Sequence, residues 1–454
     1  MVTELVAQLW DCFKKEYGVK ISDSSDLFES QRDILEFVIN LGRKLEGSLF
    51  ENMGTGHQGS RIKKAGKEYK FSGNRPKTIN GLFGGIDYKR AYYVCDEADG
   101  ANFFPLDEKL GIKKKHTPGF NYFMTFFTGQ GPYKKSMNRF HEIFRPEGKE
   151  RISLRKVLDM DYELGNRLEM LQQQDVEKLY EKNDKLDEQD RPVEGVMAVS
   201  IDATKVREKL GEELTAGGKR KYEIGFKDAK IAVISQLAWD KRKKESKCIN
   251  NSYVSAEEHA DDFFKRIWVE MNKRSADIYE QPIVFLGDGA DWIWNRAGDL
   301  ANDKSVFILD FFHACEHLSE ICKTLYGEET DEYWEHYRKW KELFYKGKVK
   351  KVIEILKRIM GDTSRQTILK ALLGEIKYFE GHKDRMRYDK YRKMKLPIGS
   401  GTVESACKNV VGSRLKGGGM TWSPSGASGM LHIRCSLEGD RFYSDFKKTL
   451  KKAS

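Results

Sequence analysis

The stretch "ILDFFHACEHL" (308–318) places an Asp, two His, a Cys and a Glu within the eight positions from Asp310 to His317. His313, Glu316 and His317 share one helical face with the spacing H-x-x-E-H, which is formally the inverted zinc-peptidase motif. Cys315 is turned about 200° away from His313. It joins Phe311, Leu318, Cys322 and Leu325 on an apolar stripe and reads as a buried core thiol. No third zinc ligand can be picked out, so a zinc peptidase built on His313, Glu316 and His317 is a remote alternative. Three other carboxylates stand where chemistry is more natural. Asp202 ends a strand-like run after Met197, Val199 and Ile201; Asp288 ends "PIVFLGD"; Glu404 lies in the first turn of a helix that follows "GSG". Singly, Asp288 could cap its helix and Glu404 could interact with a helix dipole. Asp202 is harder to explain that way, because a carboxylate among strand-core residues needs a partner or a metal. Together they supply the hard oxygen ligands, converging from different elements, that hold two Mg²⁺ ions about 4 Å apart in phosphoryl transfer.

The elements that must position these residues can be read from hydrophobic periodicity. Residues 1–50 carry apolar residues at helical spacing, and the polar, glycine-rich "GTGHQGSRIKKAGKEYKFSGNRP" then breaks that pattern. "KTINGLFGGIDYKRAYYV" predicts a β-hairpin around Gly84 and Gly85. Residues 117–190 return to helix, with Phe140, Ile143 and Phe144 closing one helix and Ser153 placed to cap the next. After Pro192 the character changes. "GVMAVSIDAT" predicts a buried strand, "KYEIGFKDAKIAVISQLA" two more, and a helix follows near 256–275. "PIVFLGD" and "SVFILD" are short apolar runs of the kind covered on both faces, each followed by a helix, so an α/β sheet is expected. Residues 311–395 read as almost wholly helical and charged, and "TVESACKNVVGSRLK" as one further helix.

Composition narrows the class. The 454 residues are long enough for two or three domains, and 39% hydrophobic residues with 12% aromatics make a folded rather than disordered chain. Eighty Lys and Arg against 70 Asp and Glu give a net charge of +10, too mild to demand a polyanionic partner by itself. Seven scattered cysteines without a C-x-x-C pair fit a reducing compartment better than a disulfide framework. No segment reads as a signal peptide or a membrane span, so a cytoplasmic location without a membrane partner is expected.

The blocks "VSIDAT", "FLGDGADWIWN", "LDFFHACEHL" and "GSGTVESACKNVVGSRLKGGGMTWS" resemble those of insertion-sequence DDE transposases of the ISKra type. The likeness covers roughly 193–440 well. It extends more loosely through "GHQGSRI" and "RAYYVCDEADGANFFPLDEKLG" in the N-terminal half. It implies an α/β RNase H-like catalytic core with a large helical insertion, plus an N-terminal, mostly α DNA-binding region containing a β-hairpin. The corresponding divisions are 1–130 (helical and hairpin DNA-binding region), 131–192 (helix-turn-helix-like segment and helical linker), 193–310 (first part of the core), 311–395 (insertion) and 396–454 (second part and basic tail).

By that resemblance Asp202, Asp288 and Glu404 are the catalytic triad and hold two Mg²⁺ or Mn²⁺ ions, with Asp291 or Asp310 as the fallback if Asp288 proves dispensable. Asp310 and His313 would border the active site as accessory residues, and Trp334 and Trp340 would contact DNA from the insertion. Lys408, Arg414 and Lys416, just beyond Glu404, are placed to hold phosphates. Arg151, Arg155 and Lys156 open the second helix of a helix-turn-helix candidate over 134–165 and would face the major groove. Relatives often carry a zinc-ribbon-like C-x-x-C after "RAYY"; here Cys95 is followed at the matching position by Ala98, so no zinc is expected. The implied activity is DNA transposition, that is, binding of terminal inverted repeats, metal-dependent strand cleavage and strand transfer. A prokaryotic, nucleoid-associated homodimer or larger synaptic assembly would carry it out. The alternatives are an RNase H-class nuclease without strand transfer and a catalytically idle DNA-binding derivative.

Overall fold

The computed structural model describes residues 2–19, 21–95, 97, 100–112, 115–144, 152–182, 184, 186, 191–214, 220–275 and 277–451. They form two compact units, one of residues 1–161 and 443–454, the other of residues 162–442. The division falls inside a continuous helix rather than at the composition change near 192 that the sequence offers as a boundary.

The first unit opens with a helical hairpin, α1 (Val2–Tyr17) and α2 (Ser24–Asn52). Asp23 caps α2, its carboxylate accepting the Ser25 and Asp26 N–H groups at 2.8 and 3.0 Å. Phe13 meets Phe37 edge-to-face at 5.7 Å to join the two helices. An antiparallel sheet follows in the order β1 (Arg61–Lys64), β2 (Lys67–Asn80), β3 (Gly85–Cys95). The hairpin predicted around Gly84 is the β2–β3 turn, closed by the Gly81 N–H donating to the Gly84 carbonyl at 2.7 Å. Glu46 of α2 accepts the Leu82 and Phe83 N–H groups of that turn, and Arg43 donates to the Phe83 carbonyl. Asp107 in α3 (Pro105–Lys109) is buried beneath Lys77, Tyr88 and Arg90 and ties α3 to the sheet. In α4 (Pro118–Gln130), α5 (Tyr133–Phe144) and the start of α6 (Leu154–Tyr180), Phe120, Met124, Phe140 and Val157 share one core. Thr125 and Thr128 of α4 both donate to the buried Asp161 at 2.7 Å. The turn between α5 and α6, with Arg151, lies outside the described residues.

The second unit is built on a five-stranded sheet. Its strands are β4 (Met197–Leu214), β5 (Arg220–Asp240), β6 (Glu245–Ala256), β7 (Ile283–Gly287) and β8 (Val306–Leu309). The order is β6-β5-β4-β7-β8; β6, β5 and β4 run antiparallel, whereas β4, β7 and β8 run parallel. Helices α7 (Ala260–Lys273) and α8 (Asp291–Ala297) pack Phe263, Ile267 and Ile293 on the face that carries Met197, Val199, Ile201, Ile283 and Phe285. The opposite face, with Ala198, Val284, Leu286 and Ile308, joins the core of a helical block. That block is α9 (Phe311–Tyr326), α10 (Asp331–Tyr345), α11 (Val349–Asp362), α12 (Gln366–His382) and α13 (Tyr388–Lys393). After it come α14 (Gly401–Ala406), a π-helical turn over Cys407–Gly412, α15 (Ser413–Leu415) and α16 (Pro424–Glu438). The last helix, α17 (Phe442–Lys451), returns to the first unit from Tyr443 onward, and within that unit Phe446 lies 5.3 Å from Tyr122 of α4.

Three strand readings of the second unit differ from the sequence expectation, the first being that β4 runs on through Asp202 to Leu214 instead of ending there. The segment read as two strands is the single strand β5, because its charged middle, Lys227 and Asp228, is exposed and so needs no turn. β6 escaped notice because it is an edge strand of mostly polar composition, burying only its last few residues, such as Val254 and Ala256.

Candidate active site

Strand register places the acidic residues. On the parallel pair β4–β7, Met197 lies opposite Ile283 and Ile201 opposite Gly287; on β7–β8, Gly287 lies opposite Leu309. Asp202, Asp288 and Asp310 each follow directly on this last paired row, Asp288 and Asp310 just beyond the ends of β7 and β8 and Asp202 within the continuing β4. Alternation along the strands puts these three residues on the side of Ala198, Val284, Leu286 and Ile308, the side that the helical block covers.

Asp202 is half-buried; its Oδ1 accepts the Ala203 N–H at 2.7 Å, and the Cys407 thiol donates to its Oδ2 at 3.5 Å. Burial raises its pKa above the ordinary carboxylate value, and the charge of Asp288 pushes the same way. The Ala203 N–H, Cys407 and His313 oppose that rise. Asp288 closes a tight turn, its Oδ1 accepting the Ala290 N–H at 2.9 Å while its carbonyl accepts the Trp294 indole N–H at 2.6 Å. At Gly289 an added Cβ would sit 2.1 Å from the Tyr378 ring, so only glycine lets that phenol lie against the turn. Glu404 is exposed on α14, and its Oε1 accepts the Ser400 hydroxyl at 3.2 Å. One turn later Cys407 reaches Asp202, and burial, then Asp202, push the Cys407 thiol well above its ordinary pKa. Glu404 and Asp202 thus flank one half-buried thiol. Among the described residues, no three His, Cys, Asp or Glu side chains converge as a ready-made metal cage.

Asp310 follows the same paired row but is otherwise engaged. It is 1% exposed, its Oδ1 accepts the His313 N–H at 2.6 Å, and its Oδ2 accepts the Ser400 N–H. It therefore caps α9 and pins the loop that leads into Glu404. Phe312, 57% exposed, lies over Gly399 of that loop. The two histidines of the H-x-x-E-H spacing pair with different carboxylates: His313 Nδ1 with Glu316 at 3.2 Å, His317 Nδ1 with Glu375 at 2.9 Å. His317 also stacks on Tyr378 at 3.9 Å, and the Tyr378 hydroxyl has no hydrogen-bond partner among the described residues.

The expected DNA contacts divide by exposure. Lys408, Arg155 and Lys156 are exposed, with Arg155 also 3.3 Å from Asp159, and Lys416 donates to the Thr204 hydroxyl of β4. Trp334 is 39% exposed under Arg338. Arg414 and Trp340 correct the sequence reading. Each is 1% exposed, Arg414 stacked on Trp422 and Trp340 inside the insertion core with Phe344 and Leu356, so neither presents a surface to DNA. Periodicity could have flagged Trp340, since it shares a face with Tyr333 and Phe344.

Further along β4, Glu208 is fully buried against Glu257. Burial first, and then Glu208, push the Glu257 carboxyl from 4.5 up to about 9. The folded chain thus holds a proton that the unfolded chain releases, and stability falls as pH rises across that window. Glu257→Gln keeps a donor for Glu208 and removes the titration. The wild type's melting temperature should drop by several degrees between about pH 6 and about pH 9, and the variant's dependence should be markedly flatter. Parallel curves would show that Glu257 does not carry this proton.

The fold and site define a mixed α/β protein in which Asp288 and Asp310 follow the ends of β7 and β8 and Asp202 lies inside the neighbouring parallel strand β4. Residues 22–209 and 214–442 match the model of the family described as Uncharacterised protein family (UPF0236), and the chain belongs to that family. No curated protein matches the chain. No helix among the described residues is long and apolar enough to cross a membrane.

Proposed function

We propose that the chain is a DNA transposase whose second unit is an RNase H-like catalytic core interrupted by the helical block α9–α13. The observation that carries this reading is the parallel register that pairs Ile201 with Gly287, the residues directly before Asp202 and Asp288, so that the Asp288 charge acts on Asp202. Burial and Asp288 make ionised Asp202 costly, and a cation between the two carboxylates would relieve that cost. The sheet order, three antiparallel strands followed by two parallel ones, supports the same core.

Asp202 and Asp288 are the residues that would hold a divalent cation, and Glu404, entering from α14, would complete the set. Bound there, Mg²⁺ or Mn²⁺ supplies Lewis-acid stabilisation of phosphate charge and an activated water or hydroxyl. The chain's own part is placement. Asp310 fixes the Ser400 loop, Ser400 orients Glu404, and Gly289 with Tyr378 fixes the turn that bears Asp288. Exposed Lys408, with Arg155 and Lys156 of the first unit, would hold DNA phosphates. The partner is double-stranded DNA, the element's inverted ends and a target.

The test is to incubate the purified chain with Mg²⁺ or Mn²⁺ and the DNA flanking its gene. Cuts at inverted repeats together with joined products are expected. Cuts without joined products would leave the nuclease reading, which uses the same residues, and intact DNA bound at the repeats would favour the idle DNA-binding derivative.

A further inference from the structure

The first unit carries an apolar surface that its own fold leaves uncovered. On α2 one side is committed to the unit: Ile39 and Phe50 are buried there, while Arg43 and Glu46 hold the β2–β3 turn. At 100° per residue the other side collects Leu27, Ile34, Val38, Leu45 and Leu49 within about 60° of arc. All five are exposed, from 43% at Ile34 to 62% at Leu45. Exposed Phe28 and Leu35 widen the stripe on one flank. Leu27, Ile34, Val38 and Leu45 also fall on the alternating 3–4 spacing of a heptad seam, with Gln31 the polar interruption among its exposed positions. Leu5, Val6 and Trp10 add exposed apolar side chains on α1.

Monomeric proteins rarely leave so large an apolar stripe in water. Two features identify what covers it. No Asp, Glu, Lys or Arg of α2 lies within the stripe, so it offers nothing to a polyanion or to a charged peptide. From Leu27 to Leu49 the strip runs about 33 Å along α2, roughly the three heptads over which helices pair through an apolar seam. An uncharged seam with heptad spacing is complementary to another of its kind, and a second copy of the chain supplies one at equal concentration. The geometry points to a homodimer in which the α1–α2 hairpins of two copies pack through the Leu27–Leu49 stripe as a helical bundle. This interface is independent of the proposed activity.

Light scattering coupled to gel filtration tests it on the full chain. At micromolar concentration the wild type should run at twice the 52.5 kDa of one chain. Val38→Glu combined with Leu45→Glu places two charges in the seam and should weaken dimerisation by at least about 100-fold, giving a monomer. Leu373→Glu, at a position 61% exposed on α12, should leave the dimer intact. A second measurement needs no variant. Amide exchange over 27–49 in the wild type should speed up on dilution through the dissociation range. A monomeric wild type, a dimer that survives both glutamates, or exchange over 27–49 that is indifferent to concentration would each overturn the interface.

Discussion

Asp202→Asn is expected to abolish Mg²⁺-dependent strand cleavage, by at least about 10³-fold or ~4 kcal/mol of transition-state stabilisation, while making the protein more stable. The two effects have one cause. Burial and the neighbouring Asp288 charge disfavour ionised Asp202, so the folded chain binds a proton there more readily than the unfolded chain does. The stability this costs grows as pH rises from the unfolded value through the raised folded value, and it is fully felt above the latter. Asparagine keeps the shape and can still accept the Ala203 N–H, but it carries no charge to repel Asp288 and none to hold a cation. The melting temperature should therefore rise in metal-free buffer at pH 8, and the rise should vanish or reverse with millimolar Mg²⁺, which stabilises only the wild type. Asp288→Asn should lose cleavage to the same extent. End binding, measured by mobility shift in EDTA, should stay within about threefold of wild type for both variants, because phosphate contacts made elsewhere carry affinity. Cleavage by Asp202→Asn at the wild-type rate would sink the proposed function. Loss of cleavage with no change in metal-dependent stability would show that the carboxylates act without a cation between them.

The parts of this fold most legible in the sequence are those where periodicity and burial agree. The apolar runs leading to Asp202, Asp288 and Asp310 are strands, although β4 continues past Asp202 to Leu214, and residues 311–395 are almost wholly helical. What the sequence could not provide is register. Nothing in "SVFILDF" reveals that Leu309, next to Asp310, pairs with Gly287, next to Asp288, since pairing between strands distant in the chain depends on the whole sheet. The same limit hid the role of Cys407, whose position on the stripe of Val403, Val410 and Val411 reads as core and whose thiol nonetheless reaches Asp202. The π-helical turn at Cys407–Gly412 left no compositional trace either. Arg414 shows the converse error. A basic residue after Glu404 invites a phosphate, but a guanidinium also stacks on an indole, and Trp422 lies eight residues further along.

Asp310→Ala is expected to cost about 3–4 kcal/mol in urea unfolding and to reduce cleavage along with it. The carboxylate is buried, and its two oxygens take two backbone N–H groups, His313 at the start of α9 and Ser400 at the start of α14. Each such charge-assisted bond is worth roughly 1.5–3 kcal/mol, and its loss also strands an N–H donor away from water. Alanine removes both bonds at once and frees the Ser400 loop, which carries the hydroxyl that holds Glu404. Asparagine separates the two roles open to this residue. Its single side-chain oxygen can accept one N–H, but its amide group must then face the other donor, so a positioning role predicts a loss of ~2 kcal/mol with partial cleavage retained. A metal ligand behaves in the opposite way. Asp310→Asn would then match Asp202→Asn, silent or gaining in metal-free stability and without cleavage. The first outcome is expected, because both oxygens already hold backbone groups at the starts of α9 and α14 and the carboxylate is 1% exposed.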